Sequence, residues 1–346
     1  MNDLVIHGAL IVDGSGSEPT IGDVAVRDGV ITAVCQPGLT AAEVVDAEGL
    51  VLAPGIVDIH THYDAQLTWD AGASPSPQMG VTTVVVGNCG FGLAPCHLDH
   101  RDLTLKNLTK VEGMPLDALL RGVNWEFETF GEYLDLLAAR GVVLNVAALA
   151  NHSCIRTYVM GIDAAQRPAT PAEIKAIGGL LRDAMEAGAI GLGTSTLESH
   201  NGEGGMPMPS RFACDDEFRE FARVLGELGR GVFQITKGAS TSIEFIEELS
   251  ALSGRPVQVC PMLQDPGHPA DVFDCMDAYA AATSRGRELY GQVTPFPEIM
   301  DFNLREPYPL ESLSSWQPAM AASGDEDLMA VFRDLGFRER VKSELE

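Results

Sequence analysis

Two patterns of apolar residues divide the chain. Residues 4–52 read as short β-forming runs separated by tight turns, with no helical spacing of apolar positions. Asp28-Gly29 lies between two such runs and accepts the positive φ angles that a type I′ hairpin turn needs. The first pattern therefore predicts an N-terminal β-sandwich segment over residues 1–55.

From residue 56 onward, continuous apolar runs of strand length alternate with segments of helical spacing. Continuous apolarity is typical of parallel strands that are buried on both faces. We count seven such runs, at residues 56–62, 81–89, 142–150, 189–194, 231–236, 256–262 and 289–293. This alternation predicts an α/β protein with a (β/α)8 TIM-type barrel or a doubly wound sheet over residues 56–346.

Neither an eighth strand nor a dinucleotide motif is visible in the sequence. After residue 293 come several prolines, Pro295 and Pro297 among them, and then a helical tail over residues 325–346. No Gly-x-Gly-x-x-Gly follows the first strand, so the barrel is favoured over the doubly wound sheet. Capping boxes, in which a Thr precedes a Glu by three positions, predict helix starts at Thr129, Thr170 and Thr241.

His60 and His62 end the first apolar run, one residue apart. Side chains two residues apart in a strand point to the same face, so the two imidazoles would stand side by side. Such a pair suits a divalent metal such as zinc. Two ordinary surface or core histidines have the same spacing, and this motif alone leaves both interpretations open.

Other reactive side chains follow the later strands, where a barrel carries its chemistry. Cys89 stands in a glycine-rich tip after the second strand, and it is either a thiolate ligand or a small buried side chain. The third and fourth strands are followed by His152 and His200. The fifth and sixth end near Lys237 and Cys260.

Composition and charge exclude several classes of function. The formal net charge is −26, and such a surface repels nucleic acid and anionic membranes. Seven scattered cysteines without a Cys-x-x-Cys pair indicate a reducing compartment. No secretory signal is visible at the N-terminus, and no apolar run is long enough to span a membrane, so we expect a cytoplasmic protein. The sequence contains neither a Gly-x-Ser-x-Gly elbow nor a His-Glu-x-x-His motif.

Two runs carry a specific resemblance: APGIVDIHTHYD at residues 53–64 and GVTTVVVGNCG at residues 80–90. They resemble the amidohydrolase superfamily and, within it, the N-acyl-D-amino-acid deacylase (D-aminoacylase) family. That family combines a metal-dependent (β/α)8 barrel with a small β-sandwich built from both chain ends. The resemblance covers most of the chain and is strongest over residues 4–95. Residues 193–199 and 205–209 also look like a branch of the family.

The resemblance implies a set of site residues. His60 and His62 correspond to metal ligands, and Cys89 corresponds to the cysteine ligand on strand two. The family also places histidine ligands at the ends of strands five and six and a catalytic aspartate after strand eight. This chain has no histidine at those ends, and the aspartate is not found. The resemblance therefore implies a divergent and C-terminally incomplete member, in which His152 and His200 either replace the lost ligands or have substrate-contact or structural roles.

The expected function is metal-dependent hydrolysis of an amide, most specifically deacylation of an N-acyl-D-amino acid by a metal-activated water. The expected cofactor is zinc, and the expected partner is the small-molecule N-acyl amino acid. The sequence leaves open whether the protein forms a homo-oligomer. The catalytic base is unassigned. The candidate metal ligands are His60, His62, Cys89 and His152, and the candidate substrate-binding residues are Ser195, His200 and Lys237.

Two alternative functions remain at this stage. One is a non-catalytic, degenerate barrel that binds a ligand but has lost its metal centre. The other is cyclic-amide hydrolysis, as in hydantoinase-like members of the superfamily, which carry a modified lysine on strand four. Residues 189–196 contain no lysine, and Lys237 follows one strand later.

Overall fold

The structure is a computed structural model that describes residues 1–110, 113–264, 267–294, 302–305, 307–311 and 313–345. The chain forms two compact units. One comprises Met1–Val57 with Gly80–Thr82, and the other comprises Asp58–Met79 with Thr83–Glu346.

A five-stranded sheet makes up most of the first unit. Its strands are β1 (Asn2–Ile11), β2 (Thr20–Arg27), β3 (Val30–Val34), β4 (Ala41–Asp46) and β5 (Val51–Leu52). Four of them lie in the order β3-β2-β1-β4, and β5 also pairs with β1. Neighbours β1 and β2 are antiparallel, as are β2 and β3, whereas β4 and β5 run parallel to β1.

The predicted hairpin turn is present between β2 and β3. Asp28 and Gly29 have φ angles of 50° and 72°, and Arg27 pairs with Val30 across the turn. Both central residues thus have the positive φ of a type I′ turn. Strands β1 to β5 form one sheet, so the sandwich stays a prediction.

All seven predicted strands of the second pattern are present, each shorter than its apolar run. They are β6 (Ile56–Asp58), β7 (Val81–Val86), β8 (Asn145–Ala148) with the short β9 (Ala150–Asn151), β10 (Gly191–Ser195), β11 (Val232–Thr236), β12 (Val257–Cys260) and β13 (Leu289–Gly291). They form one sheet in the order β6-β7-β8 and another in the order β9-β10-β11-β12-β13. Each pair from β7 to β8 and from β9 to β13 is parallel.

The segment around Leu149 pairs with strands on both of its sides. The Leu149 amide donates to Val86 O at 2.9 Å, and the Ile190 amide donates to Ala148 O at 2.9 Å. Each strand therefore has its sequence neighbours as spatial neighbours, which confirms the α/β class with parallel sheets. The closed eight-stranded barrel stays a prediction. No strand follows β13 in residues 292–294, 302–305, 307–311 and 313–345, and Pro295 and Pro297 lie outside the described residues.

Helices fill the connections between the parallel strands and the end of the chain. They are α1 (Arg101–Leu108), α2 (Leu116–Gly122), α3 (Phe130–Arg140), α4 (His152–Met160), α5 (Pro171–Ala187), α6 (Asp215–Leu228), α7 (Ile243–Ser253), α8 (Asp271–Ser284), α9 (Gln317–Met320), α10 (Asp325–Arg333) and α11 (Leu335–Leu345). None of these helices is long and apolar enough to cross a membrane. The predicted C-terminal helical tail is confirmed as α10 and α11, and its last residue, Glu346, lies outside the described part.

Two of the three predicted capping boxes are confirmed and one is wrong. Thr129 and Thr170 cap α3 and α5 with reciprocal bonds to the glutamate three residues later. Helix α7 instead begins after Ser242, whose hydroxyl accepts from the Phe245 amide at 3.1 Å. The Thr241 hydroxyl lies 2.7 Å from the Thr196 hydroxyl, so this tertiary contact removes it from the cap.

Candidate metal centre

Three of the four predicted metal ligands lie together just beyond the ends of β6 and β7. One ligand atom from each of His60, His62 and Cys89 lies within 4.8 Å of the other two. His60 Nε2 is 3.1 Å from Cys89 Sγ, and the two imidazole rings meet edge to face with their centroids 5.3 Å apart. The structure thus brings two imidazoles and one thiol to one point, a donor set that suits zinc.

A tight glycine-rich turn presents the Cys89 thiol. Cys89 has a φ of 58°, which is uncommon for a residue with a side chain. Gly87, at the start of the turn, also has a positive φ, and a Cβ there would lie 2.3 Å from Leu149 O. The Cys89 amide donates to Gln234 Oε1 at 2.8 Å, and this bond holds the turn in place.

The hydrogen bonds of His60 set its tautomer. Gln292 Oε1 lies 3.0 Å from His60 Nδ1, and the same oxygen accepts from Gln258 Nε2 at 3.0 Å. An amide oxygen only accepts, so the proton of His60 is on Nδ1. Nε2 then directs its lone pair toward Cys89, which is the arrangement of a metal-ligating histidine with an oriented second nitrogen.

His62 contains an unsatisfied nitrogen in the same place. Its Nδ1 is buried and has no hydrogen-bond partner among the described residues. Burial, together with the nearby His60 and His200, lowers the pKa of His62 to about 3, so the ring is neutral. A buried polar atom without a partner needs an explanation, and a neutral imidazole nitrogen is the form that binds a metal.

These distances fit a zinc ion. With Zn–N bonds of about 2.0 Å and Zn–S bonds of about 2.3 Å, tetrahedral nitrogen and sulfur ligands lie roughly 3.5 Å apart. The contact of 3.1 Å between His60 and Cys89 needs to widen by only a few tenths of an ångström.

Cys260, at the end of β12, also reaches this cluster. Its thiol interacts with the side chains of Cys89 and His60 closely enough to shift their pKa values. Gln234 Nε2 donates to Cys260 Sγ at 2.7 Å, and the Thr236 hydroxyl lies 3.3 Å from the same sulfur. The bond with Cys89 lowers the pKa of Cys260, whereas burial raises that of Cys89. The sequence places Cys260 at a strand end, and no pattern in the sequence gives it a role.

A cavity of about 990 Å³ opens over the cluster. His60, His62 and Cys89 form part of its lining, together with His200 and Lys110. Lys110 Nζ lies 2.9 Å from Glu311 Oε1, so this cation is paired. The cavity is large enough for a small organic molecule to reach the cluster.

The structure does not bring the fourth predicted ligand, His152, into the group. His152 is fully buried. Its Nδ1 lies 2.6 Å from the Thr194 hydroxyl and its Nε2 lies 2.7 Å from Glu217 Oε1. Glu217 also pairs with the buried Arg156. Both ring nitrogens of His152 are therefore engaged, and the residue belongs to a buried polar network with α6.

The three predicted substrate-binding residues lie at different depths. His200 lines the cavity and packs edge to face on Phe91. Ser195 is fully buried behind it, with its hydroxyl 2.7 Å from His200 Nδ1. Lys237 is not among the described lining residues, and its Nζ lies 3.4 Å from Gly238 O.

The fold and the position of the candidate ligands place this protein among the α/β proteins that carry their functional residues at the C-terminal ends of parallel strands. Residues 43–298 match the family model described as the amidohydrolase family. The chain belongs to the amidohydrolase family.

Several relatives have known activities. A D-aminoacylase of Alcaligenes xylosoxydans xylosoxydans is 38% identical over 228 residues, which are 66% of this chain and 43% of that protein. An N-acyl-D-aspartate deacylase of the same organism is 40% identical over 199 residues, 56% of this chain and 37% of that protein. The chain therefore spans about two fifths of the length of these relatives.

Solved structures show the same likeness. A D-aminoacylase crystal structure superposes with a TM-score of 0.69 and 28% identity, covering 86% of this chain and 59% of that chain. An N-acyl-D-glutamate deacylase from Bordetella bronchiseptica superposes with a TM-score of 0.65 and 29% identity, with the same coverage. The resemblance drawn from residues 53–64 and 80–90 is thus confirmed.

Proposed function

We propose that the protein is a zinc-dependent amidohydrolase that deacylates N-acyl-D-amino acids. The single observation that carries the proposal is the group of His60, His62 and Cys89 at the floor of a cavity of about 990 Å³. The relatives support the substrate class, since they are deacylases of N-acyl-D-amino acids. A predicted (β/α)8 barrel around this cavity is part of the proposal.

Zinc is the proposed metal because it suits the nitrogen and sulfur atoms of the candidate ligands and because the structure of a relative contains it. The N-acyl-D-glutamate deacylase structure contains zinc and a phosphonate inhibitor, a mimic of the tetrahedral intermediate of the reaction. A D-aminoacylase structure is described in terms of a binuclear metal centre. When bound by His60, His62 and Cys89, zinc polarises the scissile carbonyl and lowers the pKa of water to about 7.

The residues around the ligands have separate roles in this proposal. Gln292 keeps the proton of His60 on Nδ1, so that Nε2 faces the ion. Gln234 holds the backbone of the turn that presents Cys89. Both residues act through a ligand and are positioning residues. Their amides fix two ligands before metal arrives, which lowers the entropic cost of binding.

His200 is the proposed substrate contact, and Ser195 positions it. Burial lowers the pKa of His200 to about 3, with Arg211 as the next cause, so the ring is neutral and offers hydrogen bonds instead of charge. The Ser195 hydroxyl fixes one ring nitrogen at 2.7 Å and also accepts from the Leu197 amide at 3.1 Å. Lys237 is left out because it is not on the cavity lining.

The test measures metal content and hydrolysis on the same preparations of the 346-residue protein. We expect zinc in the purified protein and release of the free amino acid from N-acetyl-D-amino acids, with little release from the L enantiomers. His60→Ala should lower both the zinc content and the rate at least tenfold, because it removes a ligand. His7→Ala is the control, since His7 lies in the first unit and pairs with Asp23.

Three results contradict the proposal. Protein without zinc, in which His60→Ala changes nothing, excludes the metal centre. Protein that binds zinc but hydrolyses no N-acyl amino acid supports instead the ligand-binding barrel without catalysis. Hydrolysis of a hydantoin in preference to an N-acyl amino acid favours the cyclic-amide alternative.

A further inference from the structure

Cys260 is the one cysteine besides Cys89 that the described structure places in contact with the predicted ligands. Its thiol interacts with both His60 and Cys89, although it lies outside the group of three ligand atoms that are within 4.8 Å of one another. Cys260 ends β12, and its partner in the neighbouring strand is Thr236. A sulfur atom so close to two proposed ligands has the chemistry to share their metal.

The Cys260 sulfur accepts a hydrogen bond from a side chain of the neighbouring strand. Gln234 Nε2 donates to Cys260 Sγ at 2.7 Å, and the Thr236 hydroxyl lies 3.3 Å from it. Gln234, Thr236 and Cys260 are all buried, with no more than 1% of their surface exposed. The Gln234 amide stabilises negative charge on the buried sulfur, as hydrogen-bond donors do for metal-bound thiolates.

The Gln234 side chain also couples the two cysteines. Its amide nitrogen donates to Cys260 Sγ, and its amide oxygen accepts from the backbone of Cys89 at 2.8 Å. The Gln234 amide thus holds the Cys260 thiol directly, and it holds the Cys89 thiol indirectly, through the backbone of the turn that carries it. Cys260 is not part of the cavity lining, whereas its neighbour Pro261 is.

We propose that Cys260 is a metal ligand, so that the centre contains two thiolates, Cys89 and Cys260, beside the imidazoles of His60 and His62. This inference rests on the proposed metal centre and extends its donor set. It changes the chemistry expected of the site, because two thiolates favour soft, thiophilic ions over Mg²⁺ or Mn²⁺.

Cobalt(II) gives a direct count of the thiolates. We load the metal-free 346-residue protein with cobalt(II) and measure the thiolate-to-cobalt charge-transfer absorption per bound ion. Cys260→Ser should lower this absorption about twofold, as should Cys89→Ser, because each variant retains one of two thiolates. Cys154→Ser is the matched control: Cys154 is equally buried, and it should leave the absorption unchanged.

A measurement on the unaltered protein covers the case in which Cys260→Ser fails to fold. X-ray absorption at the zinc edge should show two sulfur neighbours per zinc, and a count of one overturns the inference. Full charge-transfer absorption in Cys260→Ser, together with a loss in Cys89→Ser, also overturns it while leaving the proposed function intact. A wild-type protein that binds neither cobalt nor zinc overturns both.

Discussion

The amide oxygen of Gln292 lies 3.0 Å from Nδ1 of His60, and this contact joins the ends of the first and last described parallel strands. Gln292 follows β13 and His60 follows β6, with 232 positions between them. The strands between are ordered as in the sequence, so the two ends of the series meet at the candidate site. That is the relationship expected of strands that curve toward a barrel.

The first prediction concerns this contact. Gln292→Leu removes the acceptor that keeps the His60 proton on Nδ1, so we expect zinc to bind about 10–100-fold more weakly. Gln292→Glu retains an acceptor in the same place and should bind zinc at least as tightly as the wild type. Competition with a chromophoric chelator gives both dissociation constants. Equal weakening in the two variants would show that Gln292 does not act through His60.

The second prediction separates His152 from the metal centre. His152→Ala leaves a cavity beside Phe221 and removes a neutral partner of the buried Glu217. We expect a loss of at least about 2 kcal/mol in the free energy of unfolding. The zinc content of the folded protein should be unchanged. Urea denaturation and metal analysis of the same samples measure the two effects. Loss of zinc with unchanged stability would make His152 a ligand after all.

The third prediction concerns the pH dependence of stability through His200. Burial lowers the pKa of His200 to about 3 in the folded protein, from an ordinary value of 6.5. Below pH 6.5 the unfolded chain binds a proton that the folded protein does not, so stability falls as the pH decreases toward 3. Between about pH 7.5 and pH 5.5 this costs at most about 1.4 kcal/mol.

His200→Gln isolates this contribution, because glutamine retains a hydrogen-bonding partner for Ser195 and does not titrate. The difference in unfolding free energy between wild type and His200→Gln should therefore shift in favour of the variant as the pH falls. Urea denaturation at the two pH values measures it. A difference that does not change with pH would show that His200 is protonated equally in both states.

The fourth prediction tests the start of α7. Ser242→Ala removes the hydroxyl that accepts from the Phe245 amide, and we expect a loss of about 1 kcal/mol. Ser242→Asp retains a capping oxygen and should preserve the stability of the wild type. Thermal unfolding under identical conditions compares the three proteins. If both substitutions lower the stability equally, Ser242 is not the cap.

The parallel strands and their order along the chain could be predicted from the sequence because the patterns that indicate them are local. Continuous apolar runs of strand length, bounded by glycines and helix starts, do not depend on what packs against them. The group of His60, His62 and Cys89 was predictable for a related reason. The two histidines are one residue apart, and the C-terminal ends of neighbouring parallel strands meet at one edge.

The tertiary structure alone decided the remaining features, since each depends on a partner far away in the chain. His152 is held in a buried network by Glu217, 65 positions later, and no short pattern identifies that pair among 49 carboxylates. Thr241 and Ser242 are both good caps, and the contact of Thr241 with Thr196 selects Ser242. Cys260 joins Cys89 through Gln234 because β11 pairs with β12 and because the turn after β7 directs the Cys89 amide to the Gln234 oxygen. Sequence determined which chemical groups stand at the strand ends, and the packing of the strands decided which of them touch.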